Sequence, residues 1–154
     1  MITLLQLGTE LGAEFLPATA GTFRALPVSG VHVSELEDPT AYLDGGELLL
    51  TTGMPFAASA EASRAYMRRL QAKKVFALGL GLGPWLRAVP EHVVEACDQA
   101  GIELGIVPDQ IPFQNISRAY WRLASRDQES NLIGSLGTQT ALARAAVRPD
   151  AINA

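Results

Sequence analysis

The sequence predicts an α/β fold, a mostly parallel sheet of four to five strands with helices packed on it and a helical or linker tail at the C-terminus. From residue 47 onward, short apolar runs alternate with longer segments whose apolar residues recur every three or four positions, which is typical of βαβ units. These longer segments begin and end with residues that are typical of helix starts and helix ends. Hydrophobic residues make up 48% of the 154 residues, which is enough for one core without disulfides or metals.

The N-terminal segment predicts one helix followed by irregular chain. We expect a helix over residues 3–11, with a threonine at its start as the cap and Gly12 at its end. Prolines and glycines then break residues 13–30 into short extended pieces, which we place around Phe15 and Val28. The leucines of the helix available for burial are Leu4, Leu5 and Leu7.

A first strand and a turn follow. Residues 31–34, VHVS, alternate apolar and polar positions and predict a strand. The next stretch, ELEDPTAYLDGG, is acidic and contains Asp38 followed by Pro39, which fits the start of a turn. We expect one helical turn at residues 40–43.

The remaining elements follow the βαβ pattern. Ser59 is a good N-cap, Pro90 suits the first helical position, and Gly101 suits a helix end. The expected elements are a strand over residues 47–51, a helix over 59–73, a strand over 75–79, a helix over 90–100, a strand over 103–107 and a helix over 112–126. The side chains expected to face the core are Ala62, Tyr66 and Leu70 in the first of these helices, Val93, Val94 and Cys97 in the second, and Ile116, Ala119, Tyr120 and Leu123 in the third.

The chain changes character after residue 128, where Gly134 and Gly137 interrupt a polar stretch. We therefore divide it into a domain over residues 1–128 and a linker or C-terminal helix over residues 129–154, with a short helix predicted at residues 140–147. A tail that crosses over to a second copy in a dimer is the alternative.

Composition argues against several classes of protein. Twelve basic residues against sixteen acidic ones give a net charge of −4, whereas a nucleic-acid-binding face needs clustered lysine and arginine. No apolar run reaches about 18 residues and no basic region precedes the apolar N-terminus, so neither a membrane span nor a secretory signal is indicated. The lone Cys97 excludes an internal disulfide, fits a reducing cytoplasm and is expected on a buried helix face. The basic cluster is interpreted as the solvated last turns of a helix: Arg68, Arg69, Lys73 and Lys74.

Four sequence blocks carry a resemblance to a known family. HVSELEDP, YLDGGELLLTTG, ALGLGLG and AGIELGIVPDQIPF occur in this order between residues 32 and 113. With this spacing the chain resembles, over residues 3–125, the N-terminal domain of the PucR-type transcriptional regulators, named for purine catabolism. The resemblance implies a regulatory (sensor) domain for residues 1–128 that senses or transmits a metabolic signal.

In that family, DNA is bound by a helix-turn-helix at the far C-terminus. This portion is absent here, so the chain looks like a regulatory fragment or a truncated regulator. The resemblance therefore implies that the chain binds a small-molecule metabolite and forms a homodimer. No cofactor is expected.

The candidate ligand site follows from the predicted sheet. Ligands of open parallel sheets bind beyond the carboxyl ends of the strands, where loops converge. Hydroxyls, glycines and carboxylates at those ends suit a polar, nitrogen-rich metabolite, because a carboxylate can hold a ureido, amide or amino group. The alternative is that the threonines only satisfy loop backbone and the glycines only permit tight turns. The residues concerned are Ser34, Glu35, Thr51, Thr52, Gly53, Gly81, Gly83 and Asp109, with Trp85 and Phe113 as interface residues that could also wall a ligand.

Other chemistries find little support in the sequence. The glycines after the third predicted strand fail the G-x-G-x-x-G pattern, because Pro84 and Leu86 stand where the last glycine would be. Two histidines, His32 and His92, and one cysteine give no metal-ligand spacing, and both histidines are expected to be solvated. Ser34 and His32 lie two positions apart in the predicted strand, but the adjacent Glu35 points to the opposite face. These three side chains therefore cannot form a catalytic triad. No catalytic residue is assigned.

Two other function classes stay open. A dimerisation module without a ligand predicts that the loop at residues 51–53 packs closed and that the apolar surplus lies in the interface. A small α/β enzyme predicts a polar cleft that contains a strongly perturbed acid, base or nucleophile.

Overall fold

The computed structural model describes residues 1–139 and confirms the α/β fold. A five-stranded sheet has the order β1-β5-β4-β3-β2, in which β2 to β5 are parallel and β1 is antiparallel to β5. The strands are β1 (Leu16–Pro17), β2 (Val31–Val33), β3 (Leu48–Thr51), β4 (Ala77–Gly81) and β5 (Glu103–Val107). The helices are α1 (Leu4–Leu11), α2 (Ala60–Ala72), α3 (Glu91–Ala100) and α4 (Phe113–Gln139), with short 3₁₀ turns over Gly12–Glu14 and Thr40–Tyr42.

Each face of the sheet is covered by two helices. Because side chains alternate along a strand, Leu49 of β3 packs with α2 and α3 on one face, while Leu48 and Leu50 pack with α1 and α4 on the other. All four residues of β3 are fully buried, which explains why a continuous apolar run rather than an alternating pattern marks this central strand. The sheet therefore leaves only its strand ends and its two edges to solvent.

The helix ends follow the predicted capping chemistry. Thr3 accepts a hydrogen bond from the backbone N–H of Gln6, whose side chain accepts one from the N–H of Thr3 in return. Ser59 caps α2 through the N–H of Ala62, and Gly101 ends α3 in the left-handed conformation with φ of 73°. These contacts fix where each helix starts relative to the sheet.

Several boundaries differ from the sequence prediction. Strand β4 lies two residues later than expected, and Pro90 is the N-cap of α3 rather than its first helical residue. Leu5 is 36% exposed, so the prediction that it faces the core is wrong. The predicted core positions Tyr66 and Cys97 are buried, as expected.

The last helix is longer than predicted. Helix α4 continues past residue 126 to Gln139 and so contains both glycines that were interpreted as interruptions. The helix predicted at residues 140–147 lies outside the described residues, and the division of the chain at residue 128 stays a prediction. Within residues 1–139, no helix combines the length and the hydropathy needed to cross a lipid bilayer.

Candidate functional site

The residues predicted to bind a ligand lie at the carboxyl ends of the parallel strands. They fall into two neighbouring groups with different hydrogen bonding. One group closes the turn after β3 around Glu35, and the other lines a groove beyond the ends of β4 and β5. Thr52 belongs to both groups.

The first group is the Glu35 clamp, which consists of Glu35, Thr51 and Thr52. The Oε1 atom of Glu35 accepts hydrogen bonds from the hydroxyls of Thr51 and Thr52, at 2.9 and 2.8 Å. Its Oε2 atom accepts one from the backbone N–H of Thr52 at 2.9 Å. Both carboxylate oxygens are thus used within the chain, and they tie the loop after β2 to the end of β3.

The turn beside the clamp is also internally satisfied. The hydroxyl of Thr51, which is fully buried, accepts a hydrogen bond from the N–H of Gly53 at 3.2 Å. Gly53 has φ of 85°, and a Cβ there would lie 2.7 Å from Cδ1 of Leu80, so only glycine fits. The hydroxyl of Ser34 accepts a hydrogen bond from the N–H of Leu36. At Ser34, Thr51 and Gly53 the contacts match the alternative in which these residues serve the loop itself.

The packing near the clamp holds a buried hydroxyl. Tyr66 of α2 is 1% exposed, and its ring centroid lies 4.2 Å from that of Phe56. Its hydroxyl has no hydrogen-bond partner among the residues that the structure describes. Burial raises the pKa of Tyr66 above its usual range, and the negative charge of Glu35 raises that pKa further.

The loop around the clamp is also tied to α2. Arg69 donates a hydrogen bond to the carbonyl of Glu37 at 3.0 Å and is half-buried, so the prediction of a solvated side chain is wrong for this residue. Hydrogen bonds from Thr40 hold the pKa of the Asp38 carboxyl below its usual value. The segment from residue 34 to residue 40 is therefore held at several points.

The second group lines the groove, which has a volume of about 380 Å³. It lies between the loop after β4 and the loop that leads from β5 into α4. Trp85 forms one wall, with half of its side chain exposed and its Nε1–H donating to the carbonyl of Gly81 at 3.1 Å. The lining residues are Thr52, Gly81, Leu82, Trp85, Asp109, Gln110, Ile111, Pro112 and Phe113.

The glycines of this region make room for the aromatic walls. A Cβ on Gly81 would lie 2.7 Å from two ring atoms of Phe113, and a Cβ on Gly83 would collide with the benzo ring of Trp85. Neither glycine has a positive φ, so close approach and not backbone freedom explains both residues. Phe113 is half-buried over Gly81, at the first turn of α4.

The polar groups of the groove differ from those of the clamp. Within the described part of the chain, no hydrogen bond or ion pair engages the carboxylate of Asp109, which is exposed. Gln110 beside it has φ of 73°, a conformation that non-glycine residues rarely adopt and that is often found at binding sites. The groove therefore offers polar groups with free hydrogen-bonding capacity next to an aromatic surface.

A smaller cavity of about 230 Å³ lies on the other side of Trp85 and shares Thr52 with the groove. Ala57 lines this cavity, and its carbonyl accepts a hydrogen bond from Nε2 of His92 at 2.6 Å. The prediction of a solvated His92 is therefore wrong, because its half-buried ring ties α3 to the loop after β3. Trp85 separates two concave surfaces that share its indole.

The structure brings together most of the predicted binding residues and adds some. Gln110 and Ile111 also line the groove, and their position after β5 is the only sequence signal that could have selected them. Shifted pKa values occur away from the groove, at the tyrosine and aspartate already described, at Tyr120, and at Cys97, where burial raises the pKa to about 12.

Comparison with protein families gives one match over most of the chain. The model of the family described as PucR, purine catabolism regulatory protein-like, matches residues 6–123. The matched range begins in α1, includes both the Glu35 clamp and the groove, and ends within α4. Comparison with curated proteins finds no match, and comparison with solved structures finds none.

Proposed function

The chain belongs to the PucR, purine catabolism regulatory protein-like, family of regulators, and from this premise we propose that residues 1–128 form a cytoplasmic sensor domain. The domain binds a small nitrogen-containing metabolite in the groove and self-associates as a homodimer. DNA is contacted by a helix-turn-helix outside this domain, since a net charge of −4 disfavours binding to phosphates.

The observation that carries the proposal is the carboxylate of Asp109, which has no partner among the described residues, beside the exposed indole of Trp85 in one concave surface. A carboxylate without a protein partner can accept hydrogen bonds from N–H groups of a ligand, and an indole can stack on a flat apolar portion. Small-molecule sites typically combine an apolar wall with a few polar groups in this way.

The groove is a better binding site than the clamp. The oxygens of Glu35 already accept three hydrogen bonds, and the hydroxyl of Thr51 both donates and accepts. A ligand at the clamp would have to break these bonds before forming its own. Asp109 requires no such exchange.

The position of the groove suggests how a ligand signal leaves the domain. Phe113, which walls the groove, begins α4, and α4 packs against α1 and contacts β2. A ligand that fits one position of Phe113 better than another shifts the population of α4 positions by its difference in affinity for the two states. The output region then responds to that difference.

A dimerisation module without a ligand is the second function, and one observation favours it. The turn at residues 51–53 packs closed, as that alternative predicts. Large apolar side chains are also about half-exposed on β2, on the loop after it and on α4, namely Val33, Leu36 and Trp121. This surface is where a self-association site would lie on the β2 side of the sheet.

The enzyme alternative receives less support from the groove. It requires a strongly perturbed acid, base or nucleophile in a polar cleft. The described groups with shifted pKa values are Asp38, Tyr66, Cys97 and Tyr120, and the groove is lined by other residues. We therefore propose a binding function without a catalytic residue.

The test is a thermal-shift screen of the protein against purine breakdown products, amino acids and polyamines. Binding to the native state raises stability by RT ln(1 + [L]/Kd), or about 2.7 kcal/mol at a concentration of 100 Kd. Each compound that raises Tm is repeated on Trp85→Ala, which removes a groove wall, and on Tyr42→Ala, which removes an exposed aromatic side chain outside the groove lining.

We expect a dose-dependent rise in Tm that Tyr42→Ala retains and Trp85→Ala loses. A rise that both variants retain would place the ligand elsewhere. No rise with any compound, together with a stable dimer by sedimentation, would favour the dimerisation module instead.

A further inference from the structure

We propose that the groove selects an organic cation with a flat apolar body, such as an amidinium, a guanidinium or a protonated amine on a ring, over neutral and anionic molecules of the same shape. This inference rests on the proposed function, because it assigns a chemical class to the ligand of the same groove. It goes further in that it fixes the sign of the ligand's charge.

Among the described residues, the charge that lines the groove is negative. Among the residues that the structure describes, the lining contains a single ionisable side chain, Asp109, and no arginine, lysine or histidine. An anionic ligand would find no guanidinium or ammonium to pair with its charge, whereas a cation would form a charge-assisted hydrogen bond with the carboxylate. Such bonds are roughly twice as strong as bonds between neutral groups.

The aromatic wall favours the same charge. The face of an indole attracts cations through its quadrupole, and tryptophan is the best of the aromatic residues in this respect. Trp85 is held in place by its hydrogen bond to Gly81 and by its contact with the surface of Gly83, so its ring is ordered before a ligand arrives. A flat cation can contact this ring and Asp109 within the same concave surface.

The partial positive charge at the start of α4 favours an anion instead, but it is smaller than the charge of Asp109. The N-terminal end of a helix carries about half a positive unit charge, which attracts anions. Asp109 lies four residues before Phe113 and carries a full negative unit charge, so the net field of the groove still favours a cation. A neutral ligand would gain the aromatic contact only.

The experiment compares three probes of nearly the same shape and different charge, namely benzamidine, benzamide and benzoate. Each is titrated into the protein and followed by Tm and by the fluorescence of the tryptophans. We expect benzamidine to bind about two- to fivefold more tightly than benzamide, as an ion pair with an exposed carboxylate implies. We expect benzoate to bind more weakly than benzamide.

The matched variants are Asp109→Asn and Asp98→Asn. Both aspartates are exposed, but only Asp109 lines the groove, while Asp98 lies on α3. Asp109→Asn should reduce benzamidine affinity about two- to fivefold, to the affinity of benzamide, and leave benzamide affinity unchanged, whereas Asp98→Asn should change neither. An equal loss in both variants would show a long-range charge effect and overturn the inference.

Tighter binding of benzoate than of benzamidine would overturn it in favour of the helix start, and so would the absence of benzamidine binding. These failures differ from failure of the proposed function. A neutral or anionic metabolite from the screen whose effect is lost in Trp85→Ala would leave the groove as the sensor site while removing the charge preference.

Discussion

The Glu35 clamp and the groove lie side by side at the carboxyl ends of the parallel strands, yet they use their polar groups in opposite ways. In the clamp, one carboxylate accepts three hydrogen bonds from two threonines of the same chain. In the groove, Asp109 accepts none within the described residues, and the glycines around it make room for Trp85 and Phe113.

The difference shows that position at the end of a parallel strand is not enough to identify a binding residue. A buried or clustered polar group is more often paired within the protein than free for a ligand. The useful criterion is whether the donors and acceptors of the group are already used. By that criterion the clamp serves to hold the turn, and the groove is the proposed binding site.

The largest expected effect on stability comes from a substitution in the turn beside the clamp. Gly53→Ala should destabilise the protein by about 3 kcal/mol, since it combines a left-handed φ of 85° with a Cβ only 2.7 Å from Leu80. Urea unfolding measures the loss. Gly101→Ala is the matched control, because Gly101 has φ of 73° and open space around its Cβ, so it should cost about 1 kcal/mol from backbone strain alone.

Equal losses in the two glycine variants would mean that the turn tolerates the added methyl group. The rigid packing assigned to the clamp would then be incorrect.

A smaller effect is expected from the clamp carboxylate itself. Glu35→Gln replaces one acceptor oxygen by an NH₂ group that cannot accept a hydrogen bond, so one of its three donors loses its partner. We expect a loss of about 1 kcal/mol in urea unfolding and a change of less than about twofold in the Kd of a groove ligand. Glu37→Gln should be neutral, because the Glu37 carboxylate is exposed and makes no hydrogen bond or ion pair within residues 1–128.

If Glu35→Gln abolished groove binding, the separation of clamp and groove into two functions would fail. Direct binding to Glu35 would then have to be considered.

An effect of about the same size but of opposite sign concerns the buried hydroxyl near the clamp. Tyr66→Phe removes a buried O–H that has no partner in the described residues, and it should stabilise the protein by about 1 kcal/mol at neutral pH. The pKa of Tyr66 is raised above its ordinary value of 10.0, so the unfolded state loses this proton at a lower pH than the folded state. The stability of the wild type should therefore fall relative to Tyr66→Phe as pH rises above 10.0.

Urea unfolding of both proteins at several pH values from neutral upward checks this expectation. A destabilised Tyr66→Phe would show that the hydroxyl is satisfied, for example by a buried water molecule.

The sequence predicts most of the fold because local chemistry decides most of its elements. Strand β5 has the predicted bounds, and Thr3 and Ser59 cap helices as expected. Strand β4 is displaced because residues 75–80 form one apolar run with no internal signal for its start. Strand β1 could not be predicted, since it has two residues, one of them a proline, and depends on pairing with β5.

The site is predicted less completely because hydrogen-bond pairing is a tertiary property. The sequence places Glu35 and Thr52 at strand ends, but it does not show that they bond to each other. Likewise, Gly81 is recognisable as a small residue, while the ring that fills the space beside it belongs to Phe113 at the start of α4, 32 residues later in the chain. The part of α4 beyond residue 126 has a composition typical of a loop, so composition alone does not predict that the helix continues there.

The length of α4 would turn a small motion at the groove into a larger displacement at the far end of the helix. Its 27 residues rise by about 1.5 Å each, so the described helix is a rod about 40 Å long that begins at Phe113 in the groove wall. A tilt of about 5° about its first residue would move its far end by about 3.5 Å, which is more than the length of a hydrogen bond. A displacement too small to alter the domain's core would thus be large enough at Gln139 to change which contacts a neighbouring segment can make.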